Sequence, residues 1–279
     1  MKNILKIMLM MIAIFTIAGS AVYAAEIPVS DQDQLITSSD WTEISNLQDE
    51  MKKEEPDATI DYDKALKVYV DCNLIKLQTA DTKKLTSALE SANYVWVIPF
   101  KMEKTYGMFT VAKGLPLSEE AKSVLTKAEQ EEVKNHAGKW MITETAEHTV
   151  EPYYDILLEK REALSDCTRV VLVGSQPGMR QPVALGMDDE TARIWISLGY
   201  QYPVMEKIPE TQNVESGVYS FDSVAEISDT YIEDSEVSTG AGVQSRSSIK
   251  YVAGIGIVLI GGILILSVLK KKKIRIKFF

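Results

Sequence analysis

The sequence predicts an α+β domain, built from an antiparallel sheet or sheets with helices, followed by one C-terminal transmembrane helix. Segments with strand periodicity and segments with helix periodicity come in runs between residues 32 and 206, instead of alternating as in a doubly wound sheet. The last strand connections, SQPGM and MDDE, are made of turn-forming residues. Residues 251–269 contain no charged side chain, which predicts the anchor.

The anchor prediction rests on length and on the charges that follow. A helix rises about 1.5 Å per residue and needs roughly 20 apolar residues to cross a bilayer. Lysines and an arginine begin directly at Lys270, which predicts a cytoplasmic tail at 270–279. The membrane is therefore one predicted partner, through Tyr251 to Leu269.

The N-terminus has the pattern of an export signal. Lys2 and Lys6 precede an apolar run that is shorter than a membrane span, and small residues at Val22 and Ala24 favour cleavage after Ala24. An uncleaved second anchor is the alternative. The predicted organisation is that of a bacterial type I single-pass protein of the cell membrane, with an extracellular N-terminal domain. Its parts are a signal peptide at 1–24, a domain at 25–206, a flexible acidic stalk at 207–250, the span at 251–269 and the tail at 270–279.

Charge limits the class of partner. All 40 acidic residues lie between residues 25 and 250 together with 22 of the 30 basic residues, so this part carries a formal charge of −18. A surface of that sign repels phosphates, which argues against nucleic acid as a partner.

The first elements of the domain follow from caps and periodicity. SSDWTEISNLQDEMKKEEP predicts a helix that begins after Ser39 or Asp40. ALKVYVDCN predicts a strand with Leu66, Val68 and Val70 on one face.

The remaining elements are predicted in chain order. TADTKKLTSALESAN is a helix capped by Thr79 or Asp81, and YVWVIPFKMEKTYGMFTVAKG is a pair of strands. LPLSEEAKSVLTKAEQEEVKNHAGKW is helical, with a capping-box pattern at Thr126 and Glu129 and a stop at Gly138. EPYYDILLEKREAL is a helix, and three strands follow in TRVVLVG, RQPVALG and TARIWISLG.

Two features leave the organisation open. Helix, strand, strand occurs near 82–112 and again, with one more strand, near 152–198, which is either a duplicated unit or two unrelated meanders. The stalk is rich in Ser, Thr, Gly and acidic residues, most clearly from Ser228 onward, and cannot bury enough apolar surface to offset the entropy of ordering. Apolar and polar residues alternate in its earlier part, VYSFDSV. A last strand of the domain is therefore the alternative for that part.

The two cysteines predict one disulfide. Cys72 and Cys167 lie in the exported part, where a bridge is permitted, and they allow a single intramolecular pairing. Two free buried thiols are the alternative.

Catalytic and metal-binding patterns are sparse, so neither an enzyme nor a cofactor or metal is predicted. His148 has acidic neighbours, but a structural loop histidine is the simpler interpretation. Ser175 in GSQPG does not match the G-x-S-x-G turn and sits in a β-turn pattern. Asp188, Asp189 and Glu190 resemble a solvated turn more than a calcium loop.

Aromatic residues are the candidates for recognition. Trp41, Trp140, Tyr153 and Tyr154 lie near predicted element ends, where they could line a groove for a carbohydrate or a peptide. The expected function is binding or scaffolding at the cell surface, in contact with another protein or an envelope glycan. The alternatives are an envelope hydrolase or a protease-inhibitor-like module, and a ligand sensor that acts through a membrane partner.

Overall fold

The computed structural model describes residues 27–148, 150–174, 176, 179, 181–200, 202–209 and 213–228. Across these residues, no helix has the length and apolar character to cross a membrane. The predicted signal peptide, the span at 251–269, the tail and the part of the stalk beyond residue 228 lie outside the described residues.

The described residues contain a mixed sheet of ten strands. Across the sheet the order is β5-β4-β3-β2-β6-β7-β8-β10-β9, and the short β1 pairs with β3. The strands are β1 (Thr59–Ile60), β2 (Leu66–Val70), β3 (Asn93–Lys101), β4 (Tyr106–Lys113), β5 (Trp140–His148), β6 (Arg169–Val173), β7 (Val183–Met187), β8 (Ala192–Ser197), β9 (Asn213–Glu215) and β10 (Val218–Ser220).

Seven helices accompany the sheet in the described part of the chain, together with short 3₁₀ turns. All but the last helix precede a strand in the chain. They are α1 (Trp41–Ile44), α2 (Gln48–Glu54), α3 (Thr82–Glu90), α4 (Glu119–Val124), α5 (Lys127–His136), α6 (Tyr153–Glu159) and α7, which begins at residue 221 and is described to residue 228. The 3₁₀ turns are Asp31–Asp33, Leu35–Thr37, Ser45–Leu47, Tyr62–Lys64, Ile75–Leu77 and Met205–Lys207.

The predicted α+β class is confirmed, but the sheet is not wholly antiparallel. Two antiparallel meanders, one on each side, meet where β2 pairs with β6 in parallel. The reason is connectivity: β3, β4, β5 and their helices all come between β2 and β6, and a long connection of this kind is what a parallel pair requires.

Side-chain alternation places core on both faces of the sheet. In β6, Val171 and Val173 belong to one cluster and Val170 and Leu172 to another, so the two clusters lie on opposite faces. The face of Val171 and Val173 is called the first face. Helices α3 and α7 cover the first face beside β6–β8, and α1 and α2 cover it beside β3–β5. Helix α6 covers the opposite face. The face predicted for Leu66, Val68 and Val70 is the one that α6 covers.

Local signals place most helix ends as predicted. The Asp81 carboxylate accepts hydrogen bonds from the backbone N–H groups of Lys83 and Lys84 and caps α3. Thr126 and Glu129 form the predicted capping box of α5. The long helix predicted after Ser39 is instead broken into α1, a 3₁₀ turn and α2. Asp40 precedes α1, but its side chain does not cap the helix.

Residues 213–228 belong to the folded domain, so a stalk that begins at residue 207 is wrong for this stretch. β10 pairs with β8, and Val218, Phe221 and Val224 are buried. The alternative strand in VYSFDSV is present as β10, followed by α7. The composition is polar on average and Val214 is exposed, yet Val218, Phe221 and Val224 supply enough buried apolar surface to join this stretch to the core.

The N-terminal residues 27–35 fill a gap in the centre of the sheet. β2 and β6 pair directly at residues 68–69 and 172–173 and are separated near their starts by this segment. The Leu35 N–H donates to the Ala65 carbonyl and the Val170 N–H to the Pro28 carbonyl. Two bridges complete the join, Val29 to Val170 in parallel and Gln34 to Leu66 antiparallel.

Candidate functional site

A buried charged cluster lies where the N-terminal segment meets β2 and β6. The Asp33 side chain is 2% exposed, and its carboxylate is 3.1 Å from Arg169 Nη2 and 3.7 Å from Lys67 Nζ. Tyr69 donates its hydroxyl to this carboxylate at 2.7 Å, and Ser30 does so at 2.6 Å. One carboxylate thus joins three separate stretches of the chain.

Aromatic rings enclose the Lys67 ammonium of the same cluster. Its Nζ lies 4.5 Å from the ring centre of Tyr94 and 5.2 Å from that of Trp96. Asp40 accepts hydrogen bonds from Tyr94 Oη and Trp96 Nε1, which explains why its side chain does not cap α1. Burial lowers the pKa of Lys67, against the opposing effect of the Asp33 and Asp40 carboxylates.

This cluster is an internal tie and not an open site. Its central carboxylate is buried, and its cations are paired with it. A buried pair of this kind is costly to break because the surviving charge is left without compensation. We therefore assign Asp33, Lys67 and Arg169 to the stability of the fold.

The four predicted recognition aromatics do not share a groove. Trp41 is half-buried beside Tyr62, and Trp140 is buried under α1 and α2 on the first face. Tyr153 and Tyr154 belong to α6 on the opposite face.

Each tyrosine on α6 contributes to the core. The Tyr153 hydroxyl is 3.4 Å from that of Tyr200, and burial raises the pKa of Tyr153. Tyr154 packs against the same cluster. These contacts account for both rings as packing elements.

The disulfide predicted between Cys72 and Cys167 is not present. Both residues are free and buried, and they belong to clusters on opposite faces of the sheet. A bridge would have to pass through the sheet, so the alternative of two buried thiols is the arrangement found. Burial raises the pKa of each thiol to about 11.

We expect both thiols to be unreactive in the folded protein and reactive after unfolding. At pH 8 a thiol with its pKa near 11 forms about a hundredfold less thiolate than a free cysteine. Titration with Ellman's reagent, without reductant, should therefore be slow in buffer and should detect two thiols per chain in urea. Cys72→Ser should remove one of the two. A titration in urea that detects no thiol until reductant is added would contradict the free state.

The residues weighed for catalysis or metal binding are occupied or lie elsewhere. The backbone of His148 ends β5, and Ser175 lies outside the described residues. Asp188 accepts the backbone N–H groups of Glu190 and Thr191 and pairs with Arg193, contacts that lower its pKa. Within the described ranges, no group of His, Cys, Asp or Glu side chains is arranged to hold a metal ion.

The sheet has a long edge strand at β5. This strand has nine residues, pairs with β4 on one side and has no paired strand on its other side among the described residues. The opposite edge, β9, has three residues. An unpaired strand presents a row of backbone N–H and C=O groups, and proteins usually keep such edges short.

The side chains of β5 change in character along the strand. At its start Trp140 packs under Tyr94, with ring centres 5.9 Å apart, and Ile142 is partly buried. Further along, Glu144 and Glu147 are exposed, and Thr145 donates its hydroxyl to Glu54 of α2. The edge is thus apolar at one end and acidic at the other.

The sequence patterns do not predict β5. The segment WMITETAEH falls between two predicted helices, with Trp140 near an element end and His148 in a predicted loop. Two signals were available: Ile142, Thr143 and Thr145 are β-branched, and Gly138 stops the preceding helix with a positive φ of 75°. A register shift near Thr143 breaks the alternation, which hides the strand from a period-two pattern.

No family model, curated protein or solved structure matches this chain. The candidate site therefore rests on the geometry above.

Proposed function

We propose that this protein is a membrane-anchored protein of the cell surface that binds or scaffolds another protein through the β5 edge of its domain. The observation that carries the proposal is the nine-residue open edge. An extended segment of a partner can add to such an edge as a further strand, because the main-chain hydrogen bonds it needs are already aligned.

The contrast between the two edges of the sheet supports this choice. β9 has the short length that protects an edge from unwanted pairing. β5 is three times as long, and Glu144 and Glu147 on it are exposed and charged, which opposes uncontrolled edge-to-edge pairing. Length and polarity together favour reversible strand addition over aggregation.

The buried polar groups of the domain give less support to a catalytic or ligand-sensing site than the β5 edge gives to binding. The Asp33 carboxylate of the central cluster is occupied by Lys67 and Arg169, and the thiols are buried with raised pKa values. Perturbed groups at catalytic centres usually face a cleft, whereas these face the core. Binding at a surface edge is therefore the proposal that the described residues favour.

Site-specific photocrosslinking in cells tests the proposal on the full chain. Glu147 on β5 is replaced by a photoreactive phenylalanine analogue, and the exposed Glu90 at the end of α3 serves as the matched control position. We expect a discrete crosslinked product in the membrane fraction from position 147 and none from position 90. Equal labelling at both positions, or no product at 147, would overturn binding at this edge.

A further inference from the structure

We infer that the partner strand at β5 carries two basic residues three positions apart in its sequence. This inference rests on the proposed binding at β5 and names the chemistry of the segment that the edge fits. It follows from the positions of Glu144 and Glu147 on the two faces of the strand.

The register with β4 fixes those faces. Glu144 lies opposite Thr110, and Glu147 lies opposite Gly107, which are three positions apart on β4. Neighbouring residues of a strand point to opposite faces, so side chains three positions apart do so as well. One glutamate therefore lies on each face of the edge.

A strand added beside β5 would meet one glutamate on each of its own faces. Directly opposed side chains on neighbouring strands lie about 4.5–5.5 Å apart at their Cβ atoms, close enough for an ion pair. A partner with lysine or arginine at positions i and i+3 satisfies both glutamates. A partner with the same residues at i and i+2 places both on one face and leaves one glutamate without a cation.

Charge also argues against a second copy of this chain as the occupant. Residues 27–228 contain 35 acidic and 20 basic residues, a formal charge of −15, and a second β5 would bring its own glutamates to the same edge. Glu54, bonded to Thr145, adds a further acid beside the strand. Like charges opposed across strands are destabilising, whereas a basic segment is attracted.

The start of β5 adds an apolar preference. Ile142 is partly buried on the face that holds Trp140, and Lys113 and Lys139 lie beside this end of the strand. Basic side chains are therefore favoured along the half that contains Glu144 and Glu147, and an apolar side chain beside Ile142. The edge selects for charge position as well as for total charge.

Peptide binding to the full chain in lipid nanodiscs tests the inference. The probe is a fluorescent nine-residue peptide of threonine and valine with lysines at i and i+3, and the control is a rearrangement of the same residues with the lysines at i and i+2. Two cross-strand ion pairs in place of one are expected to give binding about fivefold tighter by fluorescence anisotropy. The difference should shrink at high salt.

Charge reversal on the protein completes the test. The double variant Glu144→Lys, Glu147→Lys is expected to lose the spacing preference and to prefer a peptide with glutamates at i and i+3. Glu90→Lys with Glu132→Lys makes the same change of charge at exposed helix positions and should keep the preference for the lysine peptide. Equal binding of both lysine spacings to the unaltered chain would overturn this inference. If crosslinks at Glu147 persisted in that case, the proposed function would still stand.

Discussion

Replacing Asp33 with alanine is expected to lower the free energy of unfolding by about 3–5 kcal/mol, the cost of removing one partner from a buried ion pair. The substitution leaves Lys67 and Arg169 without their common carboxylate, and it also removes the acceptor for Tyr69 and Ser30. Part of the cost comes from the centre of the sheet, because this carboxylate holds residues 27–35 between β2 and β6.

Urea denaturation followed by tryptophan fluorescence measures the effect as a shift of the midpoint. Asp31→Ala is the matched control, since Asp31 is exposed and two residues away in the same 3₁₀ turn. It should change the free energy of unfolding by less than about 0.5 kcal/mol. If the two variants unfold at the same urea concentration, the carboxylate of Asp33 is not the tie described here.

The charges of the cluster should matter less when they are removed together. A triple variant with apolar residues at Asp33, Lys67 and Arg169 creates no uncompensated charge, so it should recover most of the stability that Asp33→Ala loses. Such a recovery would show that the loss comes mainly from stranded charges.

Trp195→Ala is the second change with a large expected effect, about 3–5 kcal/mol of unfolding free energy. The Trp195 ring is fully buried and stacks on Phe221 of α7 with ring centres 5.8 Å apart and planes at 13°. Its removal opens a cavity between β8 and α7. The same ring therefore tests whether residues 213–228 are part of the folded domain.

Thermal unfolding followed by far-UV circular dichroism suits this test, since it does not depend on tryptophan emission. Trp195→Phe is the matched control: Nε1 of Trp195 has no hydrogen-bond partner in the described part of the chain, so phenylalanine keeps much of the packing and loses no bond. Phe221→Ala should destabilise as well, because it opens the other side of the stack. If Phe221→Ala left the melting temperature unchanged, α7 would not belong to the core.

Local patterns predicted the elements that depend on nearby residues. The cap at Asp81 and the box at Thr126 and Glu129 act within three positions, and the alternation of Leu66, Val68 and Val70 reflects one buried face. These signals are written in short stretches of sequence. They define an α+β class without saying which strands become neighbours.

Long-range partners were beyond such patterns. Arg169 lies 136 positions from Asp33, and Gln176 lies 102 positions from the Leu74 N–H that its side chain accepts. Asp33 lies in a polar stretch, so its sequence context suggests an exposed side chain. Its burial becomes evident only once β2 and β6 are placed on either side of it. The same reason hid Asp40, which matches a helix cap in sequence but serves Tyr94 and Trp96 in the fold.

The candidate site was missed for a related reason. The exposed half of β5 has the composition of a loop, and its role comes from its position at the end of the sheet order. The predicted aromatic groove depends on residues near element ends, and the structure divides those residues between two faces of one sheet. Burial could not be predicted from local sequence because the contacts come from far along the chain, as Tyr94 does for Trp140 and Tyr200 for Tyr153.

The N-terminal segment 27–35 also constrains the order in which the sheet can form during synthesis. Synthesis proceeds from the N-terminus, so this segment is made long before Val170, the residue that it must join. Until β6 exists, Val68 and Tyr69 of β2 lack their parallel partner strand and Asp33 lacks its arginine. The first stretch of the domain to leave the ribosome is thus among the last to reach its final place, and the interval between those events is when the half-built sheet is most exposed to wrong pairing.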